Sequence, residues 1–191
     1  MLRENYNKHC LAKSDINEHL PTLKKYSEKC DTVIEMGVRT AVSTWGLLSG
    51  NPKRMISIDI KHPKDYGCNF DLIEEAAKEN EIEYHFVLAD TTKIEIQECD
   101  LLFIDTLHTY KQLKEELMLH GNKAKKYLIF HDTTTFGERD APEGYQISKD
   151  GPRGLIPAIQ EFLKENTNWS IEEVFTNNNG LTVLKNIETE S

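Results

Sequence analysis

The stretches DLLFIDTLHTY (100–110) and KYLIFHD (126–132) decide the fold. Each holds a run of four apolar residues, 101–104 and 127–130, closed by a polar cluster. Apolar runs of this length between turns read as buried parallel strands. Asp105 and His108 follow the first run, and His131 and Asp132 follow the second. Ligands of open α/β sheets bind at the carboxyl ends of the strands. Two carboxylates and two imidazoles are therefore expected along one edge of one sheet.

The same alternation extends outward. Upstream, the pattern predicts a helix over 21–29, a strand over 32–36 ending at Gly37, and a short helix over 43–48. A strand over 55–60 carries Asp59, a helix covers 71–79, and a strand over 83–88 leads to Asp90. A weak helical turn over 92–97 precedes the strand over 100–105, a strong helix over 109–125 and the strand over 127–131. This β-α order implies a mostly parallel, doubly wound sheet with helices on both faces. Residues 133–154 form a long polar loop, and loops of that length in a compact domain are usually functional or disordered. A helix over 155–166 follows. Two last strands, 169–175 and 181–185, flank Asn177-Asn178-Asn179-Gly180, a hairpin signal. One domain, 1–191, is expected: an arm and helix over 1–30 (1–14 irregular or loosely docked), and seven strands ending in an antiparallel pair.

The 191 residues suffice for a sizeable core. A formal net charge of −9 argues against nucleic acid or an anionic membrane as the main partner. The four cysteines are scattered without a CxxC pair, which fits reduced thiols in a cytoplasmic protein and disfavours a cysteine zinc site. No apolar stretch is long enough to span a bilayer, and the first thirteen residues are too polar for a secretory signal.

Gly37 lets backbone approach a ligand closely, and the following helix offers its N-terminus. Asp59, at the next strand end, has the position of a ribose-binding carboxylate. Asp90, with Thr91 beside it, is placed to meet an adenine amino group. Turn chemistry alone also favours Gly and Asp at strand ends, but acids at four strand ends argue for a nucleoside-type ligand. A nicotinamide cofactor is disfavoured, because Gly37 stands alone where G-x-G-x-x-G is required. Adenosine without phosphates, as in S-adenosylmethionine, fits better. Asp105, Asp132 and His131 are a metal-ligand set for Mg²⁺ or Mn²⁺, the histidine tilting it toward Mn²⁺. His108 is placed to take a proton from a hydroxyl. Against this, Asp105 is a rival of Thr106 and Thr109 for capping the next helix, and His131 has backbone bonding as its alternative. His120, His62 and His85 are weak candidates, and the charges over 111–126 read as a solvated helix face.

The motifs ExGxRxxxST (35–44), ISID (56–59), DLLFIDxxHxY (100–110) and IFHDT (129–133) resemble class I S-adenosylmethionine-dependent methyltransferases. The likeness is nearest to metal-dependent small-molecule O-methyltransferases, the sugar, macrolide-sugar and cephalosporin-hydroxylase-like proteins. It covers residues 31–135. It implies a Rossmann-like methyltransferase fold. Glu35, Gly37, Arg39 and Ser43 would lie at the methionine end of the cofactor, Asp59 on the ribose, Asp90 and Thr91 by the adenine. Asp105 would be a metal ligand near the cofactor amine, joined by His131 and Asp132, with His108 as general base. Ala41 and Val42 stand where family members often carry glycine, and His131 where several carry an acid.

The implied activity is O-methylation of a sugar or glycosylated small molecule. Arg139, Lys149 and Arg153 of the 133–154 loop are expected to contact an anionic group on it. A homo-oligomer is compatible with the sequence. The alternatives are a metal-independent methyltransferase using His108 alone and a non-catalytic scaffold.

Overall fold

A computed structural model describes residues 1–142 and 153–190. Among them the chain forms six α-helices and a seven-stranded sheet. In chain order these are α1 (Leu2–Leu11), α2 (Leu20–Ser27), β1 (Thr32–Met36), α3 (Val42–Leu48), β2 (Arg54–Asp59), α4 (Asp71–Glu79) and β3 (Glu83–Leu88). Then come β4 (Cys99–Ile104), α5 (Tyr110–His120), β5 (Ala124–His131), α6 (Leu155–Glu165), β6 (Trp169–Phe175) and β7 (Leu181–Asn186). The sheet order is β3-β2-β1-β4-β5-β7-β6. The five strands β1 to β5 are parallel, β7 runs antiparallel to β5, and β6 antiparallel to β7. This is the Rossmann-like methyltransferase fold, with the expected C-terminal hairpin.

Alternation along the central strands divides the core in two. Val33, Leu101, Phe103 and Ile129 face one layer with Leu20, Leu23, Trp45 and Ile73 from α2 to α4. Ile34, Leu102, Ile104, Leu128 and Phe130 face the other with Leu113, Leu117, Leu155 and Phe162 from α5 and α6. Sequence order reverses direction between β1 and β4, which opens a crevice at their carboxyl ends.

Three local expectations are corrected. Residues 2–11 are a helix, not an irregular arm. Leu2 is buried, Tyr6 and Cys10 pack against the same core one and two turns on, and His9 stacks on Trp45 at 5.8 Å between centroids. Residues 92–97 form no helix. Asp90 closes a turn onto Thr92 and Lys93, and the chain then runs irregularly, burying Ile96. The strong helix ends at His120 rather than 125, because the chain from Ala124 joins the sheet beside Cys99.

Candidate active site

Gly37 begins a loop in which residues 37, 39 and 41 all have left-handed backbone, with φ of 85°, 47° and 61°. A Cβ on Gly37 would lie 1.9 Å from the Asp105 carbonyl oxygen. The glycine is thus required by the approach of the neighbouring strand end. Arg39 and Ala41 hold conformations that glycine adopts more readily, so the loop keeps its path with side chains in place. Asp59 holds it there: one carboxylate oxygen accepts from the Val38 and Arg39 amides at 2.7 and 3.0 Å, the other from Lys61 N–H at 3.0 Å.

A cleft of about 360 Å³ opens over this loop. Gly37, Arg39, Asp59, Asp90, Thr91 and Asp105 line it, together with Tyr66 and Gln112, which the sequence motifs did not single out. Glu35 and Ser43 lie behind it instead. Glu35 is fully buried and accepts from Ser43, Thr44 and Ser57 hydroxyls at 2.5, 2.8 and 2.6 Å. Burial pushes its pKa up to about 7, against the pull of those three donors. Its contact with the crevice runs through the fold of β1 and α3, not through the cleft surface.

The second half of the site lies where β4 and β5 end. Thr109 caps α5 by accepting from Gln112 N–H at 3.3 Å, which leaves the Asp105 carboxylate free of capping. Asp132 sits just past β5 with φ of 60°, a left-handed conformation that Asp tolerates better than most residues. His108 Nε2 stands 3.2 Å from Asp105 and 2.9 Å from Asp132. His131 Nδ1 stands 3.4 Å from Asp105 and 3.2 Å from Asp132. Burial opposes charge on all four groups, but the opposite partners outweigh it. His131 rises to about 10 and His108 to about 9, while both carboxyls fall below the usual carboxylate range.

The neutral form of His131 has a fixed tautomer. Its Nε2 meets the Asn178 carbonyl oxygen at 3.0 Å, so that nitrogen donates. Nδ1 is left buried, aimed at two carboxylates, with no well-formed hydrogen bond. Such an atom needs either a proton or a cation between itself and the carboxylates. Asp105, His131 and Asp132 offer ligand atoms within 4.8 Å of one another. Two hard oxygens and one imidazole suit Mn²⁺ or a similar divalent ion better than Ca²⁺, so the donor set fits a metal.

In the sequence, Asn177–Asn179 reads only as a hairpin signal. The tip also supports the site. Asn178 orients His131, Asn177 accepts from the buried His19 at 3.0 Å, and His19 meets His131 edge-on at 5.7 Å. The Asn178 side chain ties this tip to Ser14 and Glu18, and Asp15 pairs with Arg39 of the cleft loop. The described start of the 133–154 loop packs on His108, whose ring stacks on Phe136 at 4.9 Å. Asp140 accepts from Tyr110 and Gly154 amides and brings the loop's two ends together. Arg139 is exposed, Arg153 lies over the Tyr110 ring, and Lys149 lies outside the described residues. His120 is the last residue of α5, at the helix C-terminus, and it is buried, 2.7 Å from the Thr91 carbonyl oxygen.

No family model and no curated protein matches the sequence. Solved structures do match in fold. An O-methyltransferase from Bacillus cereus in complex with SAH is 15% identical with a TM-score of 0.62, covering 96% of this chain and 88% of that one. The cofactor-bound Rv0187 from MTB is 14% identical with a TM-score of 0.62, covering 97% and 89%. A putative caffeoyl-CoA O-methyltransferase from Staphylococcus aureus is 14% identical with a TM-score of 0.61, covering 97% and 90%. At these identities the likeness establishes the fold alone.

Proposed function

We propose that this chain is an S-adenosylmethionine-dependent O-methyltransferase acting on a hydroxyl of a sugar or glycosylated small molecule. The observation that carries this reading is the pairing of the Asp105–His108–His131–Asp132 cluster with a nucleoside-sized cleft at adjacent strand ends, Asp105 belonging to both. The fold neighbours support the donor, since one is a methyltransferase in complex with SAH. The choice of acceptor rests on the sequence likeness to sugar methyltransferases. Reduced cysteines support a cytoplasmic setting: all four are unpaired.

The cleft residues hold the donor, and Asp105 sits where donor and acceptor meet. The donor's methyl carbon passes to the acceptor oxygen as its bond to sulfur breaks. Asp105, His131 and Asp132 would hold a divalent ion, which would supply positive charge to lower the acceptor hydroxyl's pKa and offset the carboxylates' field at His108. His108 in its neutral form accepts the hydroxyl proton at Nε2. Phe136 holds the ring plane, and Asn178 keeps His131 in the ligating tautomer. Holding both reactants in line supplies much of the rate.

A metal-independent transfer has one observation in its favour: the two imidazoles already face and neutralise both carboxylates. Chelation separates the readings. Methyl transfer to nucleotide sugars is measured with Mn²⁺ and with EDTA. Loss on chelation, restored by Mn²⁺, and a roughly hundredfold fall in kcat for His108→Gln support the proposal. Full activity in EDTA removes the metal.

A further inference from the structure

α5 carries a polar stripe, Gln112, Glu116 and His120, one turn apart and beside its apolar stripe Leu113 and Leu117. The stripe faces the ends of β3 and β4. Glu116 is fully buried and accepts three donors: Thr91 Oγ1 at 2.5 Å, Thr106 Oγ1 at 2.8 Å and Gln112 Nε2 at 2.9 Å. Gln112 Nε2 also reaches Thr91 Oγ1 at 3.3 Å. The direction of a Gln amide is set by its partners. A carboxylate accepts only, so the nitrogen turns to Glu116 and the oxygen turns away from it. Among the described residues nothing donates to that oxygen, and Gln112 lines the cleft with Thr91 and Thr106.

Asp90, the acid expected at the adenine amine, is otherwise engaged. One of its oxygens accepts from the Thr92 amide at 3.0 Å and the Thr92 hydroxyl at 2.7 Å, and the other pairs with Lys93 at 2.8 Å. We infer that Gln112, held by the buried Glu116, reads the exocyclic amine of the ligand's purine and makes the cleft select a 6-amino over a 6-oxo base. The inference rests on the methyltransferase reading. Gln112 is the specificity residue and Glu116 its positioning residue. A 6-oxo purine would set its own acceptor against the Gln112 carbonyl, and an unpaired buried acceptor is strongly rejected.

The test is calorimetric titration with S-adenosylhomocysteine and S-inosylhomocysteine. Wild-type protein is expected to prefer the adenosyl compound at least tenfold. Gln112→Met reduces that ratio below about threefold, chiefly by weakening the adenosyl compound. Glu116→Met gives a readout that a structural role would not: with its carboxylate acceptor gone, the amide of Gln112 is released to turn its nitrogen outward, and the ratio falls to one or inverts in the folded protein. A wild-type ratio near one overturns the inference without any variant. So does a ratio kept in folded Gln112→Met, or one lost in Asp90→Asn while Gln112→Met retains it. If the adenosyl compound binds but Gln112 does not govern the ratio, only this inference falls. If neither compound binds wild type, the methyltransferase reading falls with it.

Discussion

The two halves of the sheet edge use the same residue type in opposite ways. At the ends of β2 and β3, Asp59 and Asp90 are engaged with their own surroundings: three backbone amides for one, Thr92 and Lys93 for the other. At the ends of β4 and β5, Asp105 and Asp132 face two imidazoles instead. An acid at a strand end is therefore ambiguous in sequence. What separates a loop-building acid from a charge-holding one is whether backbone amides reach its carboxylate: they do at Asp59 and Asp90, and among the described residues they do not at Asp105 and Asp132.

The largest effect expected from this contrast is on catalysis. Asp105→Asn should lower methyl transfer at least about a thousandfold, near 4 kcal/mol of barrier, and abolish Mn²⁺ binding. Asp59→Asn keeps an oxygen for the loop amides and should weaken S-adenosylhomocysteine about tenfold. Equal losses in the two variants, read from kcat and from titration, would erase the distinction.

Next in size is a pH effect. His108 and His131 have raised pKa values, to about 9 and about 10, in the folded protein. Groups raised on folding stabilise fully below their unfolded value near 6.5 and lose that contribution as pH climbs through the folded value. Metal-free protein should lose a few kcal/mol between pH 7 and 10, since each tenfold gain in proton affinity on folding is worth about 1.4 kcal/mol. Denaturation midpoints in EDTA read this. His131→Asn should flatten the slope, and an unchanged slope would detach the histidines from the cluster.

Smaller still are the backbone effects in the cleft loop. Gly37→Ala drives a methyl into the Asp105 carbonyl and should cost about 2 kcal/mol or more. Ala41→Gly relieves a left-handed residue but deletes a buried methyl, and the two nearly cancel, leaving a change of at most about 1 kcal/mol. Thermal unfolding distinguishes them. A tolerated Gly37→Ala would mean the two strand ends do not meet as described.

Much of this was legible in the sequence, for physical reasons. Buried strands advertise themselves as short apolar runs, and the Asn-Asn-Asn-Gly cluster marks its hairpin, because both follow local rules. What the sequence concealed was polar and tertiary. α1 hides its helix because Leu2, Tyr6 and Cys10 give only a narrow apolar stripe among charges, completed by Trp45 of another element. Glu116 reads as solvated because a charged residue beside lysines on an amphipathic helix usually is. Its burial depends on hydroxyls from Thr91 and Thr106, brought in from the ends of two strands. Asn178 acts through its main-chain oxygen, which no residue pattern encodes.

The most direct test of a nucleoside cleft beside a cation cluster is titration of the protein with S-adenosylhomocysteine in the presence of Mn²⁺. The expected result is one-to-one binding at roughly micromolar strength, about −8 kcal/mol, lost in Asp59→Ala, which strips the loop of its acceptor. No heat with millimolar ligand would contradict it and leave the fold as a scaffold without the donor.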